Sequence, residues 1–552
     1  MTHSASSTLR YNVDHFTIND GVLIAWGWIF DATKRLIDLR LRLTFCDGGM
    51  IEQSVQFGEF RADVRDAFPD AMTAAASGFM ASAAWPRGEV QKVELIVVDS
   101  AASEQCVTIY RNPPSSSLGW MQRLKQSAYA NRTLGWRALR LIRHGHFSVL
   151  LEKVRRYLAN RPAKIQNPLE HLEAVLRHHP GAPALLIVDH DLGGGAPQYR
   201  QQLIASHVEH GGLAMLLTYH VPSLTFAVQV YGVPDTKRIS LPDVGDLRSL
   251  ASAGLIGDVF FNNAVSFSHP ERIPELLIDI VDITHGKLTL AAHDFYMLCP
   301  SHFLMNASGA YCAIPDVSVC RGCLQNNHEG FVNFYPARDV VAWRRSWKRL
   351  IDRAQSVCFF SNSTADLFRR VYPDMPDEKI SIRPHQMDYF PVRKLVIGAS
   401  SPLHIGVAGN LGRHKGSRVV AGLARAIHDL NSDVRITVFG MIDEPVPTDV
   451  VQIIGRYEHD QLAELIARSG VNLMFVSSVV PETFSYVTHE LIAMNLPVVS
   501  FDLGAQAEAL RDYEFGEVIA FADGAQLLAA LLDSHAKLSA RREGGLFALN
   551  GK

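Results

Sequence analysis

HIGVAGNLGRHKG, residues 404–416, runs from an apolar strand into a glycine turn and on into a helix. Gly409 and Gly412 relax the backbone of the turn. Arg413 and Lys415 bring positive charge to it. A cationic glycine turn at a helix N-terminus suits a diphosphate, because backbone N–H groups and side-chain charge converge there. A solvated basic loop has the same composition, so the turn decides little alone. Its neighbours decide more. RITVFG (435–440), VNLMFVSS (471–478) and LPVVSFD (496–502) continue a series of buried-strand runs. The spacing predicts helices over 416–430, 460–469 and 488–494 between them.

An earlier series has the same rhythm. ALLIVDH (184–190), LAMLLTYH (213–220), VFFNN (259–263), LTLAAHD (288–294) and VCFFSN (357–362) are its strand runs. Helical segments such as 198–209 and 269–284 lie between them. Two blocks of β-α alternation predict an α/β protein with two Rossmann-like, doubly wound domains. These are assigned to 181–395 and 396–552, with the joint near 383–401. Facing each other, they would form a cleft, with ligands at the carboxyl ends of the strands.

Residues 1–110 read differently. TINDGVLIAWGWIF, LIDLRLRLTFCDGG and VQKVELIVVDS are strand-like runs bounded by Asp, Asn and Gly. A small β-sandwich is expected, with no cluster of catalytic residue types; an accessory or docking module fits it. Residues 111–180 are expected to be a basic helical linker. Within 120–164, eleven Lys or Arg face one acid, Glu152, with Trp120, Trp136, Leu139 and Leu151 interleaved. Such a helix suits an anionic membrane surface; it equally suits a connector with its charges in water.

Bulk properties narrow the class. The 552 residues exceed one hydrophobic core. A net charge of -3 gives no reason to expect nucleic-acid binding. There is no apolar run of 18 residues for a membrane span, and the N-terminus lacks a signal-peptide pattern. The expectation is a cytoplasmic chain, with peripheral attachment to the inner face of a membrane as the alternative placement.

Three further stretches carry candidate chemistry. DHDLGGGAPQYRQQL (189–203) passes from a strand through three glycines into a helix, without the Gly-Lys-Ser/Thr of a P-loop. PETFSYVTHELIAMNLPVVSFDLGAQAE (481–508) contains Glu482 and Glu490, eight residues apart and able to share one helix face. AAHDFYMLCPSHFLMNASGAYCAIPDVSVCRGC (291–323) closes a strand on His293 and Asp294. It then places Cys299, Cys312, Cys320 and Cys323 at C-x12-C-x7-C-x2-C spacing. Four thiols suit a closed, structural zinc site or free thiols in a reducing compartment; both readings stay open.

Taken jointly, these motifs resemble the retaining GT-B glycosyltransferases of family 4, over about residues 183–540. The resemblance rests on Gly194-Gly195-Ala196, Gly409-Asn410 with Lys415-Gly416, Glu482-x7-Glu490, Pro497-Val498-Val499 and Gly504 with Glu508. It implies a GT-B fold and transfer of a hexosyl group from a nucleoside diphosphate sugar, GDP- or UDP-linked. The acceptor would be a glycan or lipid-linked glycan in bacterial surface-polysaccharide synthesis. Lys415 would contact the diphosphate, Glu490 the ribose, and Glu482 the sugar, with backbone N–H groups near Phe484 and Ser485. His293, with Asp294 beside it, would lie near the anomeric carbon. The loop Gly194, Gly195, Ala196 belongs to the acceptor side. No cofactor is required for catalysis on this reading, and zinc would be structural. The chain departs from the family at Asn410, where an arginine is usual, and at Glu-Thr-Phe-Ser in place of Glu-Gly-Phe-Gly. Arg413 is the candidate replacement for the missing charge. These departures motivate an alternative, a catalytically silent sugar-nucleotide-binding or assembly subunit.

Overall fold

The computed structural model describes residues 8–550 except 72, 87, 113–160, 180, 194, 235–236, 392 and 398–401. Most of the basic stretch, and Gly194, lie outside the described residues. The chain divides into two compact units, 8–288 with 325–339, and 289–324 with 340–550.

The first unit opens with eight strands: β1 (Leu9–Asn19), β2 (Val22–Asp31), β3 (Leu36–Phe45), β4 (Met50–Ser54), β5 (Gln56–Glu59), β6 (Gly78–Ala84), β7 (Val90–Asp99) and β8 (Glu104–Arg111). They form two antiparallel sheets, ordered β1-β2-β6-β5 and β4-β3-β7-β8. Strand β3 shows why. Leu39, Leu41, Leu43 and Phe45 alternate into the core. Arg40 and Arg42 point the other way, to Glu52 on β4. A period of two with one dry face is the sandwich condition. The sandwich is bonded to the rest of its unit. Thr17 Oγ1 donates to the Pro222 carbonyl at 2.9 Å, and Asn19 Nδ2 to the Leu224 carbonyl at 2.7 Å.

The same unit continues with β9 (Ala184–Val188), β10 (Ala214–His220), β11 (Thr225–Tyr231), β12 (Ile239–Leu241) and β13 (Ile256–Phe261). Their order is β12-β11-β10-β9-β13. Strand β9 lies parallel to both β10 and β13, as the β-α alternation predicts. The β11–β12 edge is antiparallel instead. The turn Val221–Ser223 is too short for a parallel crossover, so β11 folds straight back on β10.

The second unit holds β14 (Leu288–Ala291), β15 (Ser356–Phe359) and β16 (Ile380–Ile382), a parallel run. It also holds β17 (His404–Ala408), β18 (Arg435–Phe439), β19 (Val451–Ile453), β20 (Leu473–Val476), β21 (Val498–Phe501) and β22 (Gly516–Ile519). These six are all parallel, in the order β19-β18-β17-β20-β21-β22. This is a doubly wound sheet. Its strand order reverses between β17 and β20, where a crevice opens at the carboxyl ends of the strands. The fold is α/β with Rossmann-like parallel sheets and an N-terminal β-rich region, as expected. Among the described residues no helix is long and apolar enough to cross a membrane.

Candidate functional site

At the β17/β20 reversal the two loops are interlocked. Gly416 has φ +83, and a Cβ there would lie 1.9 Å from the Ser477 carbonyl oxygen. Only glycine lets the cationic loop lie flat on the end of β20. Ser477 Oγ donates to the Lys415 carbonyl at 2.7 Å. The Lys415 ammonium then reaches Glu482 Oε1 at 2.8 Å. Ser478 Oγ donates to the same oxygen.

Glu482 is held from behind as well. Its backbone N–H donates to Gln506 Oε1 at 3.0 Å, and its carbonyl accepts from Ala505 N at 2.9 Å. Burial of the Glu482 carboxyl opposes ionisation. The charge and hydrogen bond of Lys415, with hydrogen bonds from Ser478 and Ser485, outweigh it and hold the carboxyl below its usual range. The Glu482 carboxyl is therefore ionised at neutral pH.

Helix Tyr486–Ala493 follows, and Ser485 is its buried N-cap. Its first N–H groups are free of intrahelical partners by construction, so an anion is favoured there. Glu490 lies buried further along the helix. Tyr389 Oη donates to Glu490 Oε1 at 2.6 Å, and His459 Nδ1 stands 3.5 Å from the same atom. Burial, with Glu490 as hydrogen-bond acceptor, pushes the Tyr389 phenol far above its usual range, so it remains a donor.

His293 follows β14 in the same unit, and its carbonyl accepts from Thr483 Oγ1 at 2.8 Å. Thr483 sits between Glu482 and Phe484, so the segment after β14 is bonded to the Glu482 loop. The imidazole of His293 stacks on Phe360 at 4.5 Å and on His385 at 5.4 Å. His385 stacks in turn on Phe360 at 3.9 Å and on Tyr486 at 5.1 Å. Tyr486 meets Tyr389 edge-on at 5.9 Å. Rings thus link His293 to the tyrosine that holds Glu490. Asp294 does something simpler: its Oδ1 accepts from Tyr296 N at 2.8 Å and caps the turn.

His385, Tyr389, Thr483 and Ser478 were not anticipated. No spacing rule joins Tyr389 to Glu490, which are 101 residues apart. Ring stacking between side chains from four segments leaves no sequence period. On the expectation that His293 acts beside the anomeric carbon, His385 would be a positioning residue, since it stacks on that imidazole at 5.4 Å. Replacing it with alanine is expected to lower kcat about tenfold with little change in donor KM, and phenylalanine to restore part of the loss. Equal losses in both variants, or a pure KM effect, would refute this role.

Around the cationic loop, Gly409 N donates to the Phe439 carbonyl at 2.8 Å, and the Asn410 carbonyl accepts from Gly412 N at 3.1 Å. Arg413 lines a cavity together with Gly416. Phe484 stacks on His489 at 4.2 Å. The structure therefore connects Lys415, Glu482, Ser485, Phe484, Glu490 and His293 through bonds and packed rings inside one unit.

Gly195 and Ala196 belong to the other unit. Gly195 precedes helix Ala196–Glu209, and Asn262 Nδ2 donates to the Ala196 carbonyl at 3.3 Å. Arg200 Nη1 bonds Asp189 at 2.7 Å. Burial nevertheless pushes the Asp189 carboxyl up to about 6 against the pull of Arg200.

None of the four cysteines after His293 is in a disulfide. Cys320 Sγ donates to the Pro315 carbonyl at 3.5 Å, and Arg344 Nη2 donates to Cys320 Sγ at 3.8 Å. Desolvation pushes Cys299 up to about 12, against a backbone hydrogen bond from Ser301. Among the described residues no group of three or more His, Cys, Asp or Glu is placed to hold a metal ion.

Acid sensitivity follows from three histidines. Burial, then neighbouring cations, hold His220 and His414 down at about 4; for His385 the causes are burial, then His489. Unfolded, each would titrate near 6.5, the ordinary value for histidine. Between those values the unfolded chain binds more protons, so stability falls as pH drops from about 6.5 to about 4. The expected loss is on the order of 1–3 kcal/mol per histidine. Urea melts across this window check it, and a flat midpoint would contradict it.

Residues 402–536 match the family model described as "Glycosyl transferases group 1". No curated protein matches the chain in sequence. Among solved structures, similarity is found to HepE from Anabaena in complex with UDP, at 13% identity and a TM-score of 0.39, covering 65% of this chain and 93% of that one. Sucrose-phosphate synthase from Thermosynechococcus elongatus aligns at 15% identity and a TM-score of 0.42, covering 65% and 92%. WaaG, a glycosyltransferase involved in lipopolysaccharide biosynthesis, aligns at 12% identity and 0.39, covering 65% and 93%.

Proposed function

We propose that this chain is a retaining glycosyltransferase. It moves a hexosyl group from a UDP- or GDP-linked sugar to a glycan or lipid-linked glycan in bacterial surface-polysaccharide synthesis. The observation that carries the reading is the Lys415–Glu482 pair, held at the strand-order reversal of the domain that matches the glycosyltransferase model.

The chemistry needs positive charge where the diphosphate leaves. Lys415 and the N–H groups at the start of helix Tyr486–Ala493 supply it. Glu482, kept ionised, accepts from hydroxyls of the transferred sugar. Glu490 has Tyr389 on one oxygen and keeps its second for a ribose hydroxyl. Front-face transfer, with the leaving phosphate taking the acceptor proton, accounts for retention without a nucleophilic carboxylate. The new glycosidic C–O bond forms as the anomeric C–O bond to phosphate breaks. Thr483 holds the backbone of His293, so that residue is set beside the Glu482 loop.

A thermal-shift panel of UDP, GDP and their hexose conjugates tests the donor assignment. A ligand at 100 times its Kd should stabilise the fold by about 2.7 kcal/mol. The wild type should shift with one nucleotide series, and Glu490→Ala should lose most of that shift. If no nucleotide moves the wild-type transition, the assignment is wrong. Asn410 favours a second reading, a binding subunit without turnover. That reading predicts the same shifts but no transfer to any acceptor.

A further inference from the structure

A cavity of about 360 Å³ opens beside the cationic loop, within the range of small-molecule sites. Tyr311, Val479, Leu503 and Phe521 give it apolar walls. Among the described residues that line it, Arg413 and Arg418 carry charge, and both are cations. Arg418 meets Glu444 at 3.2 Å in an exposed pair, which water screens heavily. Among the described residues no carboxylate lines the cavity itself.

Its position ties it to the transfer site. Val479 directly follows Ser478, the donor to Glu482, and Val479 N donates to the His414 carbonyl at 3.0 Å. Leu503 precedes Gly504, where a Cβ would lie 2.6 Å from Glu482 N. Val479 is thus one residue from Ser478, and Leu503 two residues from Ala505, whose N–H donates to the Glu482 carbonyl. Phe521, 60% exposed, adds a large apolar ring that stacks on Phe501 at 5.0 Å. An aromatic ring left in water is ordinary when isolated; here it borders an apolar cavity.

We infer that this cavity binds an apolar chain ending in a phosphate, the carrier portion of a lipid-linked acceptor. The inference rests on the glycosyltransferase reading for its biological sense but not for its chemistry. The walls take the hydrocarbon and the two guanidiniums take the anion, which arginine binds in forked geometry. Neither half of such a ligand would suffice alone.

Calorimetry on the full chain tests this with geranyl phosphate, geraniol and inorganic phosphate. Geranyl phosphate should bind one site, at least about tenfold more tightly than geraniol or free phosphate. Arg418→Glu and Phe521→Glu change exposed side chains, so both variants should fold. Each should weaken geranyl phosphate binding about tenfold or more. UDP binding, measured in the same samples, reads the donor site separately. Loss of UDP binding in the wild type would sink the donor reading and leave the cavity result standing. Three results would overturn the inference: no binding of geranyl phosphate, equal binding of geraniol or of phosphate, or unchanged affinity in both variants.

Discussion

Lys415→Ala is expected to cut glycosyl transfer about 10²–10³-fold, the scale on which a preorganised charge at a leaving group acts. The geometry predicts more than a simple loss. Lys415 holds Glu482 ionised against burial, at 2.8 Å. Without the ammonium, the carboxyl rises toward neutrality, and the variant loses two functional charges. Glu482→Gln should cost transfer comparably, since it keeps the shape and removes the charge. The double variant should then be little worse than either single one. A coupling of about 1–3 kcal/mol is expected, as for contacting residues in one network. Strictly additive losses in initial rates would show that the two groups act separately. The pH profile separates the cases further. In wild type, the low carboxyl keeps Glu482 charged well into acid. In Lys415→Ala, the acid limb should move to higher pH, because nothing then offsets the burial.

The largest effect on stability is expected at Gly416 and Gly504. Both have positive φ, +83 and +54, where a Cβ is strained whatever the space. At Gly416 the added carbon meets a backbone oxygen at 1.9 Å, and at Gly504 a backbone nitrogen at 2.6 Å. Backbone cannot rotate away as a flexible side chain can. Alanine at either site should therefore destabilise the domain by about 2–4 kcal/mol, among the severe single-residue effects. Gly412 is the control. A Cβ there would first meet the Asp443 carboxylate at 3.4 Å, an ordinary contact at the end of a side chain. Gly412→Ala should change the urea midpoint little. Similar midpoints for all three variants would show that the loops are not locked as described.

The strands and helices of the two Rossmann-like sheets were legible because their signals are local. An apolar run of five or six residues between turn formers reads as a buried strand wherever it occurs. The same holds for β3, where alternation alone separates Leu41 from Arg42. Strands β11, β12, β16, β19 and β22 fall outside those runs: all but β11 are sheet edges, and edge pairing and strand direction depend on turn length and neighbours, which periodicity does not encode. The joint pattern of Lys415, Glu482 and Glu490 was legible as a spacing.

What the spacing did not contain is which groups meet. Sequence alone determined that a cationic glycine turn follows one strand of a parallel sheet and two carboxylates follow another. Only the tertiary structure decided that Lys415 neutralises Glu482, that Tyr389 holds Glu490, and that His385 carries the stack from His293 to Tyr486. Each of these contacts depends on chain segments brought together by burial of the sheet, across 67 residues for Lys415 and Glu482 and 101 for Tyr389 and Glu490. Hydrogen bonds and ring contacts act over a few ångströms, so nothing in the order of residues announces them until the core has formed.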